Sequence, residues 1–149
     1  MDPQVQVGVG CLLRHVFDDG VKFLVAQRKG SHGDGHWQLA GGHLEFGESF
    51  EECAARETLE ETNLDLKGWT YVTTTNDVMV ADKKHYVTIF MLAEVENVNQ
   101  VKTMEPHKIQ GGWQWKSWDE ICRLDGLFLP LSHLTSLLDM NAFVPSPPL

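Results

Sequence analysis

The sequence predicts an α/β fold in which helices enclose a central mixed sheet. Three observations support this class. Segments typical of strands and helices follow one another in the order strands, helix, strands, helix. The chain has 149 residues, a length that suits a single hydrophobic core. Its composition, with 42% hydrophobic and 22% charged residues, is that of a globular protein and argues against a disordered chain.

The strands are predicted from apolar runs and turn signals. Residues 5–13 and 21–26 are apolar runs on either side of an Asp-Asp-Gly turn sequence at residues 18–20. This spacing predicts a β-hairpin. Residues 69–80 and 85–95 are rich in threonine, valine and aromatic side chains, which favour strands.

Helix starts are indicated by capping patterns. Ser49 followed three residues later by Glu52 is a capping box, which predicts that a helix begins there. Residues 113–116 alternate in polarity as a short strand does, and residues 117–120 then repeat the capping pattern. A last helix is predicted over residues 130–140.

Charge and cysteine content exclude several classes of function. Twelve Lys and Arg against 21 Asp and Glu leave a net charge of -9, so we expect no nucleic-acid partner. A phosphate substrate would then require an external cation, most simply a divalent metal. The apolar runs are too short for a membrane span, and three scattered cysteines suit a reducing, cytoplasmic compartment. We expect one domain over residues 1–143 and a proline-rich tail over residues 144–149.

The helix predicted from Ser49 carries a cluster of carboxylates. Its predicted core-facing stripe contains Phe50, Cys53, Ala54 and Leu64. Glu57 falls within this stripe, and Glu60 and Glu61 flank it on the next turn. Burial of an uncompensated carboxylate is strongly unfavourable, and Arg56 is the nearby cation in this segment. Because Mg²⁺ prefers clustered oxygen ligands, we predict a metal site here and not a solvated helix face or a structural ion pair.

This segment resembles the Nudix box, G-x5-E-x7-R-E-U-x-E-E-x-G-U. The residues that match in register are Gly42, Glu48, Arg56, Glu57, Glu60 and Glu61. Thr58 departs from the usual aliphatic residue, and Ala40 stands where proline is common. Asn63 replaces the glycine, but asparagine also tolerates the left-handed conformation that ends a helix.

The resemblance covers most of the chain and is closest to MutT-type nucleotide triphosphate diphosphatases. The other similar segments are residues 39–48, 85–88, 104–106, 113–115 and 127–131. The resemblance implies an α/β/α sandwich with a central mixed sheet. It also implies cleavage of a nucleoside diphosphate that is linked to another group.

The resemblance implies roles for residues of the box. The implied metal ligands are Glu57, Glu60, Glu61 and the carbonyl of Gly42, with Mg²⁺ as the cofactor and Mn²⁺ able to substitute. Arg56 is expected to hold a box glutamate, with Glu60 as its partner at i+4, and Glu48 to support the ligands from behind. Three candidates stay open for the base that activates water: Glu105, Glu60 and Glu48.

The expected substrate contacts are implied by the same resemblance. They are Arg28, Gln38, Leu39, Gly41, Gly42, His43, Thr88, Phe128, Leu129 and Pro130. Arg28 would bind a phosphate or would simply be a solvated strand end. Thr88 and Leu129 have equally ordinary alternatives, as a strand residue and as part of the core. Leu129 lies where related enzymes stack a tryptophan, and leucine cannot stack as a flat ring does. The tryptophans at positions 113, 115 and 118 are expected to pack in the core.

Three functional hypotheses follow. The first is Mg²⁺-dependent hydrolysis of nucleoside triphosphates, including oxidised or non-standard ones, to monophosphate and pyrophosphate. The second is hydrolysis of an isoprenyl (geranyl-type) diphosphate. The third is a catalytically weak nucleotide-binding module, which the intact carboxylate cluster disfavours. The expected partner is a small nucleotide or diphosphate, with no nucleic acid and no membrane. A homodimer is one expected assembly.

Overall fold

The computed structural model describes residues 3–30 and 32–144. Within this part of the chain the strands are β1 (Val5–Phe17), β2 (Gly20–Arg28), β3 (Trp37–Gln38), β4 (Ala40–His43), β5 (Thr70–Met79), β6 (Lys84–Glu94) and β7 (Ile109–Lys116). The α-helices are α1 (Phe50–Thr62), α2 (Trp118–Cys122) and α3 (Leu129–Leu137). Apart from Val144, the predicted tail lies outside the described residues.

The strands form one mixed sheet, as predicted. Its order is β3-β2-β1-β6-β5, with β4 paired to β1 and β7 paired to β2. β1 and β6 run parallel, whereas the other pairs are antiparallel. The predicted first hairpin is confirmed, because Phe17 pairs with Gly20 across a two-residue turn. The long strand β1 therefore lies at the centre and pairs in turn with β4, β2 and β6.

Helices cover both faces of the sheet, which confirms the α/β/α class. Alternate residues of a strand point to opposite faces. On one face, Cys11 and Leu13 of β1 pack with Cys53 and Ala54 of α1. The other face packs against α2 and α3 through a cluster that includes Leu12, Phe23, Phe90, Trp118, Ile121, Leu131 and Leu134. The described part of the chain contains no helix that is both long and apolar enough to cross a membrane.

The ends of α1 follow the sequence prediction. The Ser49 hydroxyl accepts from the backbone N–H of Glu52, and the Glu52 carboxylate accepts from that of Ser49. Asn63 ends the helix with φ 68°, in the left-handed region. The predicted position of Phe50 in the core is wrong: this residue is 39% exposed. The helix packs against the sheet only from its second turn, which begins the buried stripe at Cys53.

Thr58 offers a stability prediction. Its side chain is fully buried, and Oγ1 has no well-formed hydrogen bond among the described residues, where its polar neighbour is the weakly bonding Cys11 thiol. The neighbouring Cys11 thiol donates instead to the carbonyl of Ala54 (3.7 Å). An unsatisfied buried hydroxyl costs free energy, so we expect Thr58→Val to raise the free energy of unfolding by about 1 kcal/mol. Urea unfolding of the metal-free protein would measure the change.

Thr62 is the matched control for this prediction. It is equally buried on α1, but its hydroxyl donates to the Thr58 carbonyl (2.7 Å) and accepts from the Leu64 N–H (3.3 Å). Thr62→Val should therefore destabilise the protein. A loss of stability of the same size in both variants would contradict the assignment of an unsatisfied hydroxyl at Thr58.

Candidate active site

A cavity of about 680 Å³ is lined by residues of α1 and of the strands β1, β4 and β6. Carboxylates enter it mainly from α1 and the segments on either side. They are Glu45, Glu57, Glu60, Glu61 and Glu105. Cationic side chains line it as well, and these are Arg28, Lys29, Arg56, Lys84 and Lys108. Although the chain has a net charge of -9, this cavity therefore carries both signs of charge.

Arg56 ties the carboxylates of α1 together. Its guanidinium donates to both oxygens of Glu48 (2.7 and 2.9 Å) and to Oε1 of Glu57 (2.8 Å). Its expected partner, Glu60, is farther away, with 3.5 Å between Nη1 and Oε2. Arg56 also donates to the carbonyl of His43 (3.1 Å). Hydrogen bonding from Arg56 lowers the pKa of Glu48 to about 2, so Glu48 remains a carboxylate that holds Arg56 in place.

Gly42 allows Glu57 to lie directly against β4. A Cβ atom at residue 42 would overlap with the carboxyl group of Glu57, so close approach requires glycine at this position. Burial raises the pKa of Glu57, although the Arg56 guanidinium acts in the opposite direction. Glu57 is therefore a desolvated carboxylate whose charge one arginine only partly compensates.

Glu61 is a still more strongly perturbed carboxyl group. Its Oε2 accepts the backbone N–H of Gly41 (2.9 Å), which draws it towards the start of β4. Burial raises the pKa of Glu61 to about 8, and the negative charges of Glu57 and Glu105 act in the same direction. Ionisation of Glu61 therefore lowers the stability of the metal-free folded protein.

This cost gives a prediction about pH. In the unfolded chain the pKa of a glutamate is near 4.5, whereas Glu61 in the folded protein has a pKa of about 8. Between these values the folded state binds more protons than the unfolded state, so stability falls as pH rises. In the metal-free protein, we expect Glu61→Gln to reduce this pH-dependent decrease in the free energy of unfolding by roughly 2–4 kcal/mol. Urea unfolding at pH 5 and pH 8 would measure it.

Glu51→Gln is the control for this comparison, because Glu51 is exposed in the first turn of α1. It should leave the pH dependence as in the parent protein. If Glu61→Gln showed the same slope as Glu51→Gln, Glu61 would not be the group that couples folding to protons.

The α1 carboxylates fit a hard divalent cation. Glu57, Glu60 and Glu61 supply oxygen ligands, and burial raises the pKa of both Glu57 and Glu61, so a bound cation would relieve the cost of ionising them. Among the described residues, no set of three or more His, Cys, Asp or Glu side chains is arranged closely enough to hold an ion. In this arrangement Glu57 accepts from Arg56, and Glu61 accepts from the backbone N–H of Gly41.

The segment after β6 brings Glu105 to the end of α1. The Met104 N–H and the indole N–H of Trp113 both donate to the backbone carbonyl of Glu61 (3.2 and 3.0 Å). Glu105 itself pairs with Lys108 (3.0 Å). Trp113, which we predicted only as a core residue, therefore also anchors the carboxylate-bearing helix. Nothing in the sequence pattern indicated this contact, which joins residues 52 positions apart.

Arg28 belongs to a second wall of the cavity. Its guanidinium stacks on the ring of Phe128, with 4.0 Å from Cζ to the centroid. It donates to the side chain of Gln38 and to the carbonyl of His32 (3.0 Å). Burial lowers the pKa of Arg28, so this residue is not a solvated strand end. Lys84 also lines the cavity. Burial lowers the pKa of the nearby His32, and the positive charges of Lys84 and Arg28 act in the same direction.

The floor of the cavity is formed by the parallel strands β1 and β6. Gly8 pairs with Thr88, and Gly10 pairs with Phe90. Both β1 residues are glycines, and their partners on β6 are buried beside them, with Thr88 6% and Phe90 1% exposed. A Cβ atom at Gly10 would lie only 2.8 Å from the Phe90 ring, so the space is already filled at that position. Next to this floor, the rings of His43 and Tyr86 stack with centroids 5.4 Å apart.

The cavity brings together nearly all of the predicted substrate-contacting residues. Those that line it are Arg28, Gln38, Leu39, Gly41, Gly42, His43, Thr88, Phe128 and Pro130. Leu129 is the exception, since it is absent from the lining contributed by the described residues. Successive residues of a helix point in different directions, and Pro130 and Leu131 take the positions that face the cavity. Leu129 therefore does not occupy the wall on which we predicted base stacking.

Several lining residues were missed by sequence reasoning. They are His32, Lys84, Tyr86, Phe90, Lys108 and Leu131. Tyr86 and Phe90 could have been inferred, because they alternate with Thr88 along one strand and so share its face. Lys84 and Lys108 carry no local signal, since their positions depend on how distant segments pack.

Comparison with known proteins places this site in a family. The family model for the NUDIX domain matches residues 5–136. The bis(5'-nucleosyl)-tetraphosphatase (asymmetrical) of Sus scrofa is 33% identical over 116 residues, which cover 76% of each chain.

Solved structures show the same fold. The MutT protein from Methanosarcina mazei Go1 has a TM-score of 0.75 and 22% identity, and covers 92% of this chain and 94% of its own. The MutT NUDIX hydrolase from Burkholderia pseudomallei has a TM-score of 0.70 and 27% identity, with 90% and 95% covered. With a family match over most of the chain and the box carboxylates lining one cavity, the chain belongs to the Nudix family and is a hydrolase of phosphoric anhydride bonds.

Proposed function

We propose that this protein is a Mg²⁺-dependent hydrolase that cleaves nucleoside triphosphates to the monophosphate and pyrophosphate. One observation supports this most directly: a single cavity combines the α1 carboxylates with cationic and apolar side chains, among them Arg28 stacked on Phe128. A triphosphate needs cations on its oxygens: a metal held by the carboxylates would neutralise some of them, and basic side chains the others. The cavity volume of about 680 Å³ lies within the usual range of small-molecule sites, roughly 300–1,000 Å³.

The cationic and the apolar side chains suit different parts of the substrate. Arg28 and Lys84 are placed to bind phosphate oxygens that the metal leaves free. The apolar part of the lining suits a flat base and comes from Leu39, Phe90, Phe128, Pro130 and Leu131. Gln38 and Thr88 add the polar groups that such a pocket uses for specificity.

The box residues would perform the chemistry. Glu57, Glu60, Glu61 and the carbonyl of Gly42 would hold Mg²⁺, which when bound withdraws charge from phosphate oxygens and lowers the pKa of bound water. Arg56 holds Glu57, and Glu48 holds Arg56. Because its pKa is lowered to about 2, Glu48 is a poor proton acceptor at neutral pH. The base is therefore Glu105 or Glu60 in this proposal.

Dinucleoside tetraphosphates are a second candidate substrate. The observation in favour is the 33% identity to a bis(5'-nucleosyl)-tetraphosphatase over 76% of this chain. Such a substrate presents the same phosphoric anhydride bonds to the α1 carboxylates. It differs in carrying a second nucleoside beyond the phosphates, which would have to extend past the Arg28 wall.

A substrate panel would test the proposal. Canonical dNTPs, 8-oxo-dGTP, diadenosine tetraphosphate and geranyl diphosphate would be incubated with Mg²⁺, and products separated by ion-exchange chromatography. We expect monophosphate and pyrophosphate from triphosphates, at a higher kcat/KM than for the other two classes. A preference for diadenosine tetraphosphate would favour the second candidate, and turnover of geranyl diphosphate alone would overturn the nucleotide assignment. Binding without turnover would indicate a nucleotide-binding module.

The metal requirement has its own test. A ligand that binds only the folded state raises the melting temperature by mass action. We expect Mg²⁺ or Mn²⁺ to raise the melting temperature well beyond NaCl at equal ionic strength. Equal shifts with both salts would indicate simple charge screening and would count against a specific metal site.

A further inference from the structure

A buried carboxylate lies behind the floor of the cavity. Asp77 of β5 is 0% exposed, and a charged group in that position needs hydrogen-bond partners. Its Oδ2 accepts from the hydroxyls of Thr75 (2.9 Å) and Thr88 (2.6 Å). Its Oδ1 accepts from Nδ1 of His133 on α3 (2.7 Å). None of these contacts belongs to the metal-binding side of the site.

Thr88 connects this network to the cavity. Thr88 is 6% exposed and contributes to the cavity lining, and a Cβ atom at Gly8 would lie 3.9 Å from its Oγ1, so the hydroxyl lies beside this glycine. Thr75 pairs with Thr88 across β5 and β6 but is absent from the cavity lining of the described chain. His133 is 42% exposed on α3. The substrate would therefore meet the network only at Thr88.

The direction in which the Thr88 hydroxyl points its proton therefore determines what this hydroxyl can bind in the cavity. A threonine hydroxyl has one proton to donate and two lone pairs to accept with, whereas an ionised carboxylate can only accept. Because the Thr88 proton is donated to Asp77, the oxygen presents only lone pairs to the cavity. A base nitrogen that carries a proton would be bound there, and one with a lone pair would be repelled.

We propose that Asp77 is a specificity-determining positioning residue, which makes Thr88 a hydrogen-bond acceptor that selects nucleotides whose base offers an N–H group. This inference rests on the proposed nucleotide substrate. His133 completes the arrangement, because its N–H holds Oδ1 and leaves Oδ2 facing both threonines. The same helix contributes Pro130 and Leu131 to the cavity wall, so the network also ties that wall to the sheet.

Asp77→Asn is the decisive variant. With the proton of His133 kept on Nδ1, that N–H needs an acceptor and therefore selects the amide oxygen of the new side chain. The amide NH2 would then face the threonines and donate to their oxygens, which frees the Thr88 proton to point into the cavity. Thr88 would change from an acceptor to a donor. The preference of the enzyme for substrate N–H groups should therefore fall or reverse.

Matched substrate pairs would measure this preference. The pairs are dGTP with N1-methyl-dGTP, dTTP with N3-methyl-dTTP, and 8-oxo-dGTP, which carries N7–H, with dGTP. In at least one pair we expect the parent enzyme to favour the N–H substrate by about tenfold or more in kcat/KM. Asp77→Asn should reduce that ratio by about tenfold, mainly through KM, because an unpaired polar group weakens binding. Comparing ratios cancels the bulk of the methyl group.

Thr75→Val is the matched control. It removes the other threonine donor to Asp77 but no group in the described lining of the cavity, so the substrate ratio should stay at the parent value. A ratio that falls equally in Thr75→Val and Asp77→Asn would mean that the network acts only through general packing, which would overturn the inference. If Asp77→Asn fails to fold, Thr88→Val becomes the test. The inference then requires that this variant lose the preference for substrates with a base N–H group.

The remaining outcomes separate this inference from the proposed function. Nucleotide turnover without any preference for base N–H groups in the parent enzyme overturns the inference but leaves the proposed function standing. An unchanged ratio in Asp77→Asn, or in Thr88→Val, also overturns it. Failure to hydrolyse or bind any nucleotide overturns the proposed function, and the inference with it.

Discussion

Replacement of Glu57 or Glu61 by glutamine is expected to abolish turnover at saturating Mg²⁺ and to leave the fold intact. Glutamine keeps the shape of glutamate but removes the negative charge that a divalent ion requires. Because the metal supplies several kcal/mol of charge stabilisation, turnover should fall roughly 100-fold or more. Steady-state kinetics over a range of Mg²⁺ concentrations would separate weaker metal affinity from a lower maximal rate.

The contacts of both residues explain why the fold should survive. The amide oxygen of glutamine at residue 61 can still accept the Gly41 N–H. At residue 57 the variant loses an ion pair, but Arg56 retains its two bonds to Glu48. Metal-free melting temperatures should therefore stay equal to that of the parent or rise. Glu51→Gln, on the exposed first turn of α1, should keep full activity. Full turnover in both ligand variants would remove these residues from the metal site.

Gly42→Ala is expected to cause the second large effect. The added methyl group would overlap with the Glu57 carboxyl group, which is the flexible end of a side chain and can move aside. The protein should therefore fold with little loss of stability, but Glu57 would be displaced from β4. Displacing one ligand should lower Mg²⁺ affinity by roughly 10–100-fold, as changes around metal ligands commonly do. The size of the melting-temperature shift on titration with Mg²⁺ measures this directly.

Gly8→Ala provides the control for this experiment. Residue 8 lies on the same cavity, but an added Cβ atom there would have its nearest neighbours at 3.8 Å, an ordinary contact distance. This variant should keep the full Mg²⁺-induced shift even if substrate binding changes. If Gly42→Ala also kept the full shift, then contact between residue 42 and Glu57 would not be needed for metal binding.

Features that depend on residues close along the chain could be predicted from the sequence. The capping box at Ser49, the left-handed end at Asn63 and the clustering of carboxylates on α1 all involve residues within one or two helical turns. The hairpin of β1 and β2 follows from a short turn between apolar runs. The Nudix box is also a local pattern, because the spacing of its residues along the chain can be read directly from the sequence. These patterns were sufficient for the fold class and the family.

The tertiary structure decided which distant residues meet around the cavity. Glu105 and Trp113 reach α1 through hydrogen bonds to the carbonyl end of the helix. Arg56 pairs more closely with Glu48 than with Glu60, although the helical spacing favours Glu60. Leu129 is absent from the lining of the described cavity, whereas its neighbours Phe128 and Pro130 contribute to it. In each case the outcome depends on side-chain direction and on burial, which residue spacing does not record.

The hydrogen-bond network of Asp77 is the clearest example of contacts that residue spacing does not predict. Its carboxylate joins β5 to β6 and to α3, and its partner His133 is 56 residues away. Only the pairing of these strands and the packing of α3 on β5 bring the groups within hydrogen-bond distance. Local patterns reflect interactions between residues that are close along the chain. They were therefore sufficient to predict the helix that carries the carboxylates. The burial that raises the pKa of Glu61 and the Asp77 acceptor that orients the Thr88 hydroxyl arise from contacts between distant segments, which only the folded chain brings together.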